Sequence, residues 1–195
     1  RATILFTNWL TGGLQSRLFT LHTSSSIVQN GGFETGHSSG WARSGNSAST
    51  SVTAGGLYVH SGVDGLKAGP GQTLGYLSQT LPTVAGQSYL ISFWLDNPKA
   101  GTPNEFKVSW NGNVVLDQTN LPALGWTNIH LFVAAATNTS LIQFGFRNDP
   151  AYFGFDDLSV STFNPPILRL LNQTDATIQF AWNTVTGLVY QAQYK

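Results

Sequence analysis

From Ile27 to about Phe163 the chain is cut into short apolar or alternating runs by clusters of Gly, Pro and Asn. None of the runs carries the 3.6-residue periodicity of an amphipathic helix, so strands joined by turns are what such a chain can build. The runs at 51–53, 56–60, 74–81, 88–95, 105–110, 113–117, 127–134, 140–146 and 155–160 are the expected strands. Asn111-Gly112 lies between two of them, and Asn-Gly is the strongest local signal for a tight hairpin. Tyr89-Leu90-Ile91-Ser92-Phe93-Trp94-Leu95 is apolar at nearly every position, which suits a central strand covered on both faces. Many short strands with turns at this spacing predict an all-β fold, a sandwich or jelly roll.

The two ends have a different character. Runs at 2–6 and 16–21 flank the turn residues Thr11-Gly12-Gly13, and Ser24-Ser25-Ser26 has the composition of a linker. After Asn164-Pro165-Pro166, runs at 167–171, 176–182 and 188–194 read as three strands, with a turn at Val185-Thr186-Gly187. The expected organisation is therefore 1–26, 27–163 and 164–195. Neither end closes a core alone, because one face of so small a sheet stays uncovered.

Charge restricts the partners. Charged residues make up 9% of the 195, and the nine basic and nine acidic ones cancel. No basic stripe exists to meet nucleic acid. Net neutrality removes the repulsion that keeps copies apart, so self-association comes easily. Without cysteine there is neither disulfide nor thiolate chemistry. No apolar run approaches the roughly 20 residues that span a bilayer as a helix. Abundant Thr, Ser, Asn and Gly with little Lys or Glu points to an extracellular or cell-surface setting, and a start at Arg1 to a mature or trimmed chain.

Catalysis lacks its usual parts. A glycosidase needs two carboxylates flanking the bond, and the only glutamates are Glu34 and Glu105. His22, His37, His60 and His130 show no zinc-ligand spacing. Gly36-His37-Ser38-Ser39-Gly40 has the Gly-x-Ser-x-Gly spacing but no strand before it and no helix after it to make a nucleophile elbow, and Gly69-Pro70-Gly71 is not followed by the helix and Lys-Ser/Thr of a phosphate cradle. The chain is expected not to be an enzyme.

The acidic residues are few enough to be informative. Asp156 and Asp157 are adjacent within the last expected strand of the central region, after Tyr152-Phe153-Gly154-Phe155. Two neighbouring carboxylates repel, and exposure, a hydrogen-bond network or a bound cation must offset that cost. Glu34 follows Asn30-Gly31-Gly32-Phe33 far upstream, and pairing of the first and last strands would bring it to the Asp pair.

Residues 27–163 resemble the galactose-binding-like jelly-roll modules, close to the carbohydrate-binding modules found beside bacterial xylanases and in secreted surface proteins. The resemblance rests on Asn30-Gly31-Gly32-Phe33-Glu34 with Trp41, on Gln87 to Trp94, on Val108-Ser109-Trp110-Asn111-Gly112, on Gly125-Trp126 and on Phe155 to Val160. It implies a structural calcium ion held by Glu34 and Asp156, with Asp157 as neighbour and backbone carbonyls from the turn that begins at Asn30. Calcium takes six to eight oxygen donors in irregular geometry, which suits that set. The alternative is that the Asp pair caps a strand end by accepting backbone amides.

The ends resemble a fibronectin type III-like domain in two pieces. Phe180-Ala181-Trp182-Asn183 and Gly187 to Tyr194 match its early strands, and 1–22 its later half. Three arrangements follow: a piece of a longer protein, completion of one subunit's head by the next subunit's tail, or folding back within one chain. The second would propagate head-to-tail into a filament.

A glycan is held by aromatic faces and planar hydrogen-bonding groups. In the resembling family Trp41, Trp94, Trp110 and Trp126 coincide with framework positions, which implies core, and Trp182 is expected to be core too. The remaining candidates are Tyr58, His60, Tyr76, Asn97, Arg147, Asn148, Asp149 and Tyr152. Arg147 to Tyr152 is the best cluster, with an ordinary Asx-type turn as its alternative. Asn138 and Asn172 stand in glycosylation sequons. The function expected is a secreted, non-catalytic, calcium-stabilised module binding a polysaccharide. The alternative is a structural subunit of an extracellular filament or surface layer.

Overall fold

The computed structural model describes residues 2–7, 14–19, 25–69, 71–164, 169–173 and 178–181. The chain divides into two compact units, one of Ser26–Thr162 and one of Arg1–Ser25 with Phe163–Lys195.

In the smaller unit β1 (Ala2–Thr7) pairs antiparallel with β2 (Leu14–Phe19). The unit also holds the antiparallel pair β13 (Arg169–Gln173) and β14 (Ile178–Ala181). The expected turns at 11–13 and 185–187, the strand at 188–194, Trp9, His22 and Trp182 lie outside the described residues.

The larger unit consists of β3 (Ala42–Gly45), β4 (Ser51–Ala54), β5 (Asp64–Ala68), β6 (Gly75–Pro82), β7 (Ser88–Asn97), β8 (Asn104–Trp110), β9 (Asn113–Thr119), β10 (Leu124–Ala134), β11 (Thr139–Asn148) and β12 (Phe153–Thr162). They form two five-stranded sheets, β10-β7-β12-β5-β4 and β3-β6-β11-β8-β9, every pairing antiparallel. This is the all-β jelly-roll sandwich. Alternation decides what goes inside: Phe93 and Leu95 of β7 and Phe153 and Phe155 of β12 meet Phe106 of β8 and Phe144 and Phe146 of β11. Phe155 lies 4.8 Å from Phe144, 5.4 Å from Phe93 and 5.4 Å from Phe146, centroid to centroid. Each fully buried Phe contributes about 2–3 kcal/mol of hydrophobic stabilisation, so this cluster dominates the core.

At the β8–β9 turn, Asn111 (φ 51°) and Gly112 (φ 81°) both take the left-handed conformation that the tight hairpin requires. The expected strand at 56–60 is instead a 3-10 turn, Gly56–Tyr58. Gly55 and Gly56 both have positive φ there, which breaks an extended chain. β3 (Ala-Arg-Ser-Gly) and β5 (Asp-Gly-Leu-Lys-Ala) are short and carry charges and glycine, and the pattern reading passes over them.

The start of the unit runs along its last strand. Ile27 N–H donates to the Val160 carbonyl at 2.8 Å and Leu158 N–H to the Gly31 carbonyl at 3.0 Å. A Cβ at Gly31 would stand 2.0 Å from the Leu158 oxygen, so glycine is what permits the approach. Between Asp156 and Ser159 the register of β12 against β7 shifts, with Asp157 at φ 50°. That bulge re-aims both aspartates.

Candidate functional site

The outer face of the β10-β7-β12-β5-β4 sheet collects aromatic and charged side chains. The register sets Asp96, Gly154, Lys67 and Ser51 in one row across four strands, and Asn128, Trp94 and Asp156 in the next. Their sequence neighbours Phe93, Leu95, Phe155 and Leu66 fill the core, so strand alternation turns this set outward.

Trp126 lies in β10 where the pairing slips between Leu124 and Thr127. Its indole reaches across to Gly154, where a Cβ would come within 2.8 Å of it and 3.3 Å of the Asp96 Cβ. The absence of a side chain at Gly154 therefore makes room for the ring. The His60 ring stacks on Trp94 at 3.8 Å with 16° between planes and meets Trp126 edge-on at 5.3 Å. Both tryptophans are half-buried. On the other side Tyr58 and Tyr152 meet edge to face at 6.2 Å. The Lys67 ammonium sits 3.9 Å from the Tyr152 ring centre and 5.5 Å from that of Tyr58, a cation–π arrangement.

Asp96 is 3% exposed, and among the described residues no basic side chain pairs with it. Burial raises its pKa, opposed by a hydrogen bond from the Asn97 backbone. Burial also raises the pKa of Tyr58, assisted by Tyr152 and by the Asp96 charge. A half-buried indole, two phenols, an ammonium and a carboxylate short of partners thus share one face. Stacking surface beside fixed acceptors and donors is what holds a sugar ring.

The expected ligand residues do not gather in one place. Tyr58 and Tyr152 belong to this face. Tyr76 is on β6 of the opposite sheet, its ring so close over Gly145 that a Cβ there would come within 2.9 Å. Arg147 Nε donates to Asp149 Oδ2 at 2.9 Å, and Asp149 also accepts the Gln72 amide, so this pair closes a turn. Asn148 is a correction. It is 0% exposed, donates to Asn97 Oδ1 at 3.0 Å and leaves its own Oδ1 without a partner. It follows Phe144 and Phe146 at the inward parity of β11, which removes it from any surface site. Asn97 is equally buried, holding the Leu121 and Pro122 carbonyls.

Among the expected core tryptophans, Trp41 and Trp110 are buried, but Trp94 and Trp126 stand on the outer face. Trp94 is flanked by Phe93 and Leu95 and is invisible in an unbroken apolar run. Its parity opposite to theirs was the available signal.

The acidic residues meet at one corner of this sheet. A Cβ at Gly32 would lie 3.6 Å from Asp157 Oδ1, 3.7 Å from Glu34 Cγ and 3.8 Å from Asp156 Oδ1. Asp156, 0% exposed, accepts the backbone N–H of His60 (2.9 Å) and Ser61 (3.3 Å) on one oxygen and that of Asp157 (2.7 Å) on the other. Asp157 accepts from His60 Nδ1 at 2.6 Å and from Ser61 Oγ at 2.9 Å. Glu34 accepts the amides of Val63 and Asp64. Asn30 donates to the His37 and Ser39 carbonyls, shaping the turn. Desolvation lifts the Asp156 pKa to about 6, partly offset by the amides, with the Asp157 charge adding to it.

Carboxylate oxygens are donors of the kind calcium takes, and among the described residues no Lys or Arg pairs with these. Among the described residues no three His, Asp or Glu side chains converge on a point able to hold an ion, so main-chain oxygens would have to complete the shell. The amides from 60 to 64 supply the alternative compensation.

No protein-family model matches the chain, and no curated protein matches it. Solved structures do. A family 61 carbohydrate-binding module in complex with β-1,4-galactotriose aligns with a TM-score of 0.55 at 23% identity, over 72% of this chain and 100% of its own. The family 22 and catalytic modules of xylanase 10B from Clostridium thermocellum, complexed with xylohexaose, align at 0.54 and 19% identity. That match covers 74% of this chain and 30% of the xylanase chain. The K1 adhesin domain of Lys-gingipain from Porphyromonas gingivalis aligns at 0.55 and 15% identity, over 68% of this chain and 96% of its own. What the chain shares with these proteins is the jelly-roll fold.

Proposed function

We propose that the 26–162 unit is a non-catalytic glycan-binding module of an extracellular or cell-surface protein, and that it binds on the outer face of the β10-β7-β12-β5-β4 sheet. The observation that carries the reading is Trp126, whose half-buried indole lies along the sheet over Gly154 instead of packing into the core. A pyranose stacks its C–H face on such a ring. Asp96, buried beneath this face, acts through the platform, its charge bearing on the Tyr58 phenol. Tyr58, Tyr152 and Lys67 form the opposite wall. Two of the proteins sharing the fold were solved with β-1,4-galactotriose and xylohexaose, which makes β-1,4-galactan and xylan the first ligands to try.

Calcium belongs to the same proposal. Glu34 and Asp156 would hold it, with Asp157 beside them and carbonyls near Asn30, and its contribution would be to neutralise the corner and stabilise the fold. Retention on insoluble galactan and xylan, measured by pull-down, tests the binding reading. Trp126→Ala should abolish retention and Tyr76→Ala should leave it unchanged. Equal effects of the two would overturn the assignment of the face.

A further inference from the structure

Two walls of the binding face, Tyr58 and His60, stand on one loop, 56–64, and that loop is held from the acidic corner. The described side-chain hydrogen bonds to its backbone amides all come from two carboxylates: Asp156 to His60 and Ser61, Glu34 to Val63 and Asp64. His60 is where the two systems join. Its main-chain N–H is on Asp156, its Nδ1 is on Asp157, one ring face is on Trp94 and its edge is against Trp126.

We infer that His60 is a positioning residue that fixes the Trp126 indole, so that the acidic corner sets the geometry of the binding platform without touching the ligand. The argument is one of available support. Trp126 has the glycine of β12 beneath the tip of its indole, and a residue without a side chain gives the ring no lateral support. The His60 ring packs against the Trp126 ring in T-shaped geometry at 5.3 Å and supplies that support. His60 is itself immobilised on three sides by the Trp94 stack and the two aspartates, so its position is over-determined. A rigid aromatic held by its surroundings binds more tightly than one that must be ordered on contact. The inference rests on the Trp126 reading for its consequence in binding, but the ordering of Trp126 can be measured without any ligand.

The test uses the full chain labelled with 5-fluorotryptophan, whose six tryptophans give separate fluorine resonances, with Trp126 assigned by Trp126→Phe. In His60→Ala the Trp126 resonance should move and change linewidth while that of the core residue Trp110 stays in place. His60→Phe, which keeps the ring but not the Asp157 bond, should restore it. Glu34→Gln should disturb Trp126 in the direction of His60→Ala, because it loosens the same loop. An unmoved Trp126 resonance in a folded His60→Ala protein would overturn the inference. So would equal shifts at Trp126 and Trp110. With β-1,4-galactotriose or xylohexaose as probe, His60→Ala should weaken binding about tenfold and His60→Phe by less than about threefold, the range of one aromatic contact. Absence of wild-type binding to both probes would count against the glycan reading and leave the fluorine result to decide the positioning role.

Discussion

The Asp156 carboxylate accepts the backbone N–H of His60 at 2.9 Å, joining parts of the chain 96 residues apart. The bond is made by a group that burial keeps partly protonated, with a pKa raised from 3.8 to about 6. Because the folded pKa exceeds the unfolded one, the folded state binds the extra proton between these values. Stability is therefore highest below about pH 4 as far as this group is concerned, and falls as pH rises through 6. A shift of about two units corresponds to about 3 kcal/mol. In chelator, the melting temperature should decline from pH 4 to pH 7, and Asp156→Asn should flatten that slope. A slope unchanged in Asp156→Asn would show that another group sets it.

A cation at the corner acts in the opposite sense, because it favours the ionised carboxylates. Calcium at about a hundred times its dissociation constant would add about 2.7 kcal/mol, or roughly 5–10 °C in melting temperature for a unit of this size. Thermal melts at pH 7 with calcium and with chelator measure it directly. Glu34→Gln combined with Asp156→Asn should abolish the difference. If wild-type melts coincide in the two buffers, the amides of the 60–64 loop are the whole compensation.

Which parts of this were legible in the sequence follows from physical range. Hairpins are local, so Asn111-Gly112 was enough to place the β8–β9 turn. The all-β class followed from periodicity, which is also local. The meeting of Glu34 with the Asp pair was legible only because few acidic residues exist to choose from and the first and last segments run together. The binding face was not legible. Trp94 is concealed by apolar neighbours on both sides, and the direction of Trp126 depends on a register slip against a strand distant in sequence. Asn148 misled for the opposite reason: its polar loop composition implies exposure, but its parity on β11 sends it inward beside Asn97.

Asn148 accordingly supports stability and not binding. Its Nδ2 satisfies Asn97 Oδ1 in a place without water access, and removing it leaves a buried acceptor unpaired. Asn148→Ala should destabilise by about 1–3 kcal/mol in urea unfolding. Glycan retention at temperatures where the variant is folded should match the wild type. Lost retention with unchanged unfolding would return Asn148 to the ligand-binding set.

Gly154 separates the face from the core most cleanly. Its neighbours Phe153 and Phe155 are fully buried, but a side chain at 154 would first meet the Trp126 ring, at 2.8 Å. Gly154→Ala leaves the inward face of β12 untouched and forces the indole off the sheet. The displaced ring loses its contact with the His60 ring, and the ligand loses the platform that contact defines. The cost to folding should stay near 1 kcal/mol, since a partly exposed side chain can move. The cost to binding should be tenfold or more, on the order of 1.4 kcal/mol. Isothermal titration with β-1,4-galactotriose or xylohexaose, set beside melting of the same sample, gives both quantities. A large loss of binding with a small loss of stability assigns the Trp126 face to the ligand, and intact binding in a folded Gly154→Ala protein moves the ligand elsewhere on the sandwich.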